Sequence, residues 1–128
     1  MRQRVRIANQ TLYLDVTQYH DTPMELFISI EKTGSQDRWF LDSIARLASL
    51  ALQHGIPMAD ICDQWVETKG RPCGMVQGDQ FIKMCSSPLD YVAKHLLTHY
   101  GGREDLKHVK VATYSADGRG VFPPAGPQ

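Results

Sequence analysis

Leu12, Leu14 and Val16 alternate with Thr11, Tyr13, Asp15 and Thr17. A period of two predicts a strand with one wet face, within a stretch that runs from Arg4 to Tyr19. His20-Asp21-Thr22-Pro23 reads as a turn. Leu26 to Ile30 is rich in apolar and branched residues and predicts a second strand, paired antiparallel with the first. The period then changes. Phe40, Ile44, Leu47 and Ala51 form one helical stripe, which Leu41, Ala45, Ala48 and Leu52 widen. This predicts a helix from about 36 to 54, capped by Ser35 and ended by Gly55 and Pro57. So much apolar surface marks it as the most buried helix of the domain. Ile61, Cys62, Trp65 and Val66 predict a second helix over 58–66, with Asp60 and Asp63 facing water. Lys69 to Gly78 reads as a loop, and Phe81 to Met84 as a short strand. Ser87-Pro88-Leu89-Asp90 is a helix start, with serine as N-cap, proline at the first helical position and aspartate at the capping-box position. Leu89, Val92, Ala93, Leu96, Leu97 and Tyr100 continue that helix on one face, and His95 and His99 fall on its polar side. His108 to Tyr114 reads as a late strand.

These elements predict an α+β fold: an antiparallel sheet with two to three helices packed on one face. The 128 residues fit one domain over 1–114, followed by an irregular tail over 115–128 rich in Gly and Pro. Sheet edges of such a small fold favour self-association, so a homo-oligomer is expected. Arg2-Gln3-Arg4-Val5-Arg6 reads as a frayed, solvated chain end.

Formal net charge is zero, which argues against a general coat for duplex nucleic acid. No apolar run reaches the ~20 residues that span a bilayer, and no signal-peptide h-region is visible, so no membrane partner is expected. Cys62, Cys73 and Cys85 are an odd set at wide spacing, unlike a secreted disulfide framework, and this points to a reducing, cytoplasmic setting. They lack the short knuckles of a zinc site, and His95 and His99 have no visible third ligand, so no metal and no other cofactor is expected. Ser86 and Ser87 lie near Asp90, but helix capping accounts for that, and no nucleophile motif appears. The chain reads as a binding protein rather than an enzyme.

Anion binding is the chemistry the sequence favours. The helix starts at Gly34-Ser35 and Ser86-Ser87 offer unpaired backbone N–H groups at a positive dipole end. Lys32 and Arg38 flank the first, and Lys69 and Arg71 lie in the loop before the second. Lys32, Gly34, Ser35, Arg38, Arg71, Ser86 and Ser87 are therefore the candidate ligand-binding residues, for a nucleotide or another small phosphorylated molecule. Trp39, Trp65, Tyr91 or Phe81 would stack a base. The plain alternative is that the serines only cap helices and the cations only face water.

A resemblance adds context. Leu26 to Ser35 resembles the strand of the TSCPD domain that ends in lysine and glycine before its first helix. Ile44 to Leu52 is similar to that family's apolar helix, and Gln53-His54-Gly55-Ile56-Pro57 to its exit. Lys69-Gly70-Arg71-Pro72-Cys73 resembles its glycine- and cysteine-containing loop, and Cys85 to Ala93 its last helix start. Ser87 stands before Pro88 where the name-giving motif has cysteine, and Leu89 separates Pro88 from Asp90. The family is a domain at the C-terminal end of adenosylcobalamin-dependent ribonucleotide reductases. The resemblance implies a fold and a neighbourhood; the radical chemistry of the host needs hundreds of further residues. Two expectations follow. One is sequestration of a nucleotide or nucleotide-derived signal, in the manner of viral anti-defence proteins. The other is an accessory or regulatory subunit that associates with the reductase large subunit.

Overall fold

In a computed structural model, residues 1–31, 37–107, 113–114 and 120–121 are described. Three strands, β1 (Arg2–Ile7), β2 (Gln10–Tyr19) and β3 (Thr22–Glu31), precede two helices, α1 (Asp37–Gln53) and α2 (Met58–Trp65). Two short strands, β4 (Gly74–Gln77) and β5 (Met84–Cys85), lead into α3 (Pro88–His99) and a 3-10 turn at Glu104–Leu106. The five strands form one antiparallel sheet in the order β3-β2-β1-β4-β5. A separate pair, β6 (Thr113–Tyr114) with β7 (Gly120–Val121), is also antiparallel. Most of the late strand expected over 108–114, and the expected tail apart from β7, lie outside the described residues.

The long alternating stretch is two strands rather than one. Ala8 and Asn9 both take positive φ, 48° and 69°, and close a two-residue hairpin between Ile7 and Gln10. His20 and Asp21 repeat the device, at 51° and 64°, between β2 and β3. Such mirror-image turns match the right-handed twist of the strands they join. The first went unseen because alanine is a poor marker for a left-handed position, whereas Asp21 sits in a cluster of turn formers.

Arg2 to Arg6 is therefore no frayed end. It is the central strand, paired with β2 on one side and with β4 on the other. The amino group of Met1 donates to the Val16 carbonyl at 2.6 Å. Val5 and Ile7 point inward while Arg2, Arg4 and Arg6 point out, as the pleat requires. Arg2 and Arg4 lie over the Tyr13 ring at 5.8 and 6.0 Å. Gly78 follows β4 at φ +103°, and a Cβ there would stand 3.1 Å from the Arg4 carbonyl, so this turn needs glycine.

Val5, Ile7, Leu12, Leu14, Val16, Leu26, Ile28 and Ile30 make one buried sheet face. Against it pack Leu41, Ala45, Ala48 and Leu52 of α1, Cys62 and Trp65 of α2, and Tyr91, Val92, Ala93, Leu96 and Leu97 of α3. The α+β architecture matches the pattern, but the most buried helix is α3. In α1 the side formed by Leu41, Ala45, Ala48 and Leu52 is buried, whereas Phe40 and Leu47 of the expected stripe face solvent, as does Leu50 on another side. The helix also lies along the margin of β3: Ser49 Oγ accepts from Leu26 N at 2.8 Å, and Gln53 donates to the Met24 carbonyl at 3.3 Å. The expected loop over 69–78 contributes β4, and the strand expected over 81–84 is displaced to Met84–Cys85 by an irregular turn around Asp79.

Candidate functional site

The start of α3 forms as its residues dictate. Ser87 has extended backbone, and its Oγ accepts from Asp90 N at 2.8 Å. Pro88 needs no donor at the first helical position. Asp90 is fully buried, and its carboxylate accepts from Glu67 N at 2.7 Å and from Ser86 N at 2.9 Å. Lys94, one turn on, supplies the counter-charge at 3.1 Å. Burial alone would lower the pKa of Lys94, but Asp90 and Glu67 outweigh it and the shift is upward. Ser86 Oγ donates to the Thr68 carbonyl, and Ser87 Oγ lies 2.7 Å from Thr68 Oγ1. The chain thus places its own carboxylate at the positive end of this helix.

A cavity of about 370 Å³ opens beside this start, lined by Phe40, Lys69, Gly70, Arg71, Ser87 and Leu89 among others. Arg71 and Ser87, two of the sequence-predicted residues, come together here, and Lys69 joins them. Ser86 is turned inward to Thr68 and Asp90. Arg38 lies exposed on the first turn of α1 and does not line this cavity. Lys32, Gly34 and Ser35 fall outside the described residues. Of the proposed stacking rings, Trp65 and Tyr91 are buried in the core, and Phe81 lies under the Lys107 ammonium at 4.0 Å. Phe40 is the ring that reaches the cavity, one position from Trp39.

His95, which the sequence places with His99 on the polar side of α3, is buried in a second polar cluster, whereas His99 is exposed. Asp79 is only 4 % exposed and accepts four hydrogen bonds: Tyr91 Oη at 2.6 Å, His95 Nδ1 at 2.8 Å, Phe81 N at 2.8 Å and Ile82 N at 2.9 Å. Burial pushes its pKa up, but these donors, His95 foremost, hold it well below the usual carboxylate range. Burial, with Asp79 beside it, pushes the Tyr91 hydroxyl well above its ordinary value. His95 is 9 % exposed and stacks on His99, ring centroids 5.6 Å apart. Burial, then the neighbouring His95, lowers the pKa of His99. The missed signal was the four-residue spacing Tyr91–His95, which puts both side chains on one helix face. Its partner, Asp79, came from a stretch with no periodicity.

The cysteines are free. Burial pushes the Cys62 thiol to about 12 and the Cys85 thiol to about 11, which makes both poor nucleophiles. Cys73 is exposed and adjoins Gly74, the residue paired with Cys85. Among the described residues, no group of three His, Cys, Asp or Glu is placed to hold a metal ion. No described helix is long and apolar enough to cross a membrane.

Comparison with known proteins gives this geometry its context. The chain is 36 % identical over 122 residues to the vitamin B12-dependent ribonucleotide reductase of Agrobacterium fabrum, a match that covers 93 % of this chain and 10 % of that protein. The same figures hold for the reductase of Bradyrhizobium diazoefficiens. The Rhodopirellula baltica enzyme is 33 % identical over 100 residues, covering 77 % of this chain and 10 % of that protein. The chain spans about a tenth of the length of these relatives. No solved structure gives a significant match. The TSCPD domain model matches residues 2–100, from the first residue of β1 through the end of α3, so this chain belongs to the TSCPD domain family.

Proposed function

We propose that this chain is a non-enzymatic accessory or regulatory module that works with a vitamin B12-dependent ribonucleotide reductase. The observation that carries the reading is 36 % identity across nearly the whole chain to a reductase of which it spans only 10 %. What is shared is a packed domain with its own core, about a tenth of the reductase's length. The fate of its polar groups supports a non-catalytic role: Ser86, Ser87 and Asp90 are spent on one another and on main-chain donors. The outward face of α1 offers the contact, because Trp39, Phe40, Leu47 and Leu50 leave large apolar surfaces in water. Affinity capture with the tagged chain and the large reductase subunit tests this. Association that Leu47→Glu abolishes is the expected result; no association of the unaltered chain removes the reading.

A second reading is favoured by the convergence of Lys69, Arg71 and Ser87 on one cavity beside an aromatic ring. In it the chain binds, and by binding sequesters, a small phosphorylated molecule such as a nucleotide or nucleotide-derived signal. Because Asp90 already occupies the helix end, the two cations rather than the helix dipole supply the attraction. A nucleotide that raises the melting temperature of the unaltered chain, but not of Arg71→Ala, supports it. No shift with any nucleotide removes it.

A further inference from the structure

The three helices pack on one face of the sheet, and the other face is open among the described residues. Strand registers set its side chains in rows. Arg6, Thr11 and Glu31 form one row, Arg4, Tyr13 and Ser29 the next, and Arg2, Asp15 and Phe27 the third. Charge on this face is sorted rather than mixed. The cations Arg2, Arg4 and Arg6 all stand on β1, and the anions Glu25 and Glu31 stand on β3, the second strand over. Asp15, on β2 between them, is already paired with Arg2 at 3.4 Å. Among the described residues, Arg4, Arg6, Glu25 and Glu31 have no ion-pair partner. Apolar surface accompanies the charge: Phe27 is 49 %, Met75 67 % and Met84 53 % exposed.

This sorting selects the partner. A nucleic-acid strand would be drawn to β1 and repelled from β3, so only half of the face suits it. A second copy of this chain carries the complementary arrangement. Half a turn about an axis running along β2 lays β1 of each copy over β3 of the other. Arg6 then faces Glu31 of the second copy, Tyr13 faces its counterpart, and each charge contact is made twice. The same rotation carries Met75 and Met84 past the border of the facing β3. A cleft of about 460 Å³ lies there, between Phe27 and Leu50 of α1.

We propose that the open sheet face is the interface of a twofold homodimer, with Arg6–Glu31 contacts at both sides and Tyr13, Phe27 and the two methionines packed between and beyond them. The copies meet face to face, as stacked sheets do, and not edge to edge. The interface uses neither Leu47, on which the reductase contact is tested, nor the Arg71 cavity.

Light scattering on a sizing column reads the mass in solution, and twice the chain mass is expected. Arg6→Glu and Glu31→Arg are exposed substitutions that put like charges at both contacts. Each is expected to weaken the dimer about a hundredfold and to run at the single-chain mass, with the far-ultraviolet circular dichroism of the unaltered chain. Mixed in equal amounts, the two variants are expected to restore the doubled mass, because one carries only acidic and the other only basic groups at the two positions. A monomeric unaltered chain, a dimer that both substitutions leave intact, or folded variants that stay monomeric when mixed overturns the proposal. Loss of the dimer in Leu47→Glu overturns it by placing the contact on α1. A single-stranded oligonucleotide bound by the unaltered chain but not by Arg4→Glu overturns it by assigning the face to nucleic acid.

Discussion

Helices α1 and α3 look alike in sequence and live differently in the fold. Both carry apolar residues at helical spacing on much of their circumference. Yet α1 leaves Trp39 63 % and Leu47 66 % exposed, whereas α3 buries Asp90 completely and His95 almost so. The difference lies in their neighbours. The first helix lies against β3 at the border of the sheet and packs one stripe. The second is enclosed by α2, by β5 and by the turn around Asp79. Apolar periodicity states which faces can be buried; the number of surrounding elements decides which of them are. Polar side chains then enter the enclosed helix because partners wait for them, and apolar ones stay outside on α1 because the sheet ends there.

The largest way to break this contrast is Asp79→Ala. It strands Tyr91, His95 and two main-chain donors at once, and should cost about 3–5 kcal/mol in urea unfolding. The same carboxylate governs acid sensitivity. Its folded pKa is depressed, so its contribution is fully present above the unfolded value of about 4 and is lost as pH falls toward the folded one. Unfolding free energy should therefore fall on acidification below about pH 4, and less steeply in Asp79→Asn. Next comes Ser87→Ala, which removes the α3 cap and should cost about 1 kcal/mol, read by denaturant midpoint. Ser49→Ala, on the other helix, removes the bond to Leu26 and should cost roughly 0.5–1.5 kcal/mol. Smallest is Leu47→Ser on the open side of α1, expected within about 0.5 kcal/mol of the unaltered chain. A loss there as large as a core truncation would show that α1 is enclosed after all, and would remove the contrast.

How far the sequence reached is clear from particular residues. The strand over Leu26–Ile30, the C-terminal boundary of α1 and the Ser87-Pro88 start were legible because local chemistry writes them: a period, a breaker, a cap. The hairpin at Ala8-Asn9 was not, since tertiary pairing forces alanine into a conformation it disfavours. Strand β4 was hidden by its short length and by the glycines at its start and just beyond its end, Gly74 and Gly78. At the candidate sites, Arg71 and Ser87 were both named from helix-start chemistry, sixteen positions apart. The Asp79–His95 bond also spans sixteen positions, but one partner sits in an aperiodic turn, and no local rule announces such a pair.

Ser49 has a wider consequence. By giving its hydroxyl to the main chain of Leu26, it spends hydrogen-bonding capacity that an incoming sixth strand would have to recruit at that point. At the far border, β5 offers a template only two residues long. At Leu26 and along β5, a molecule that joins this one finds little ladder to prolong and relies on fitting side chains together.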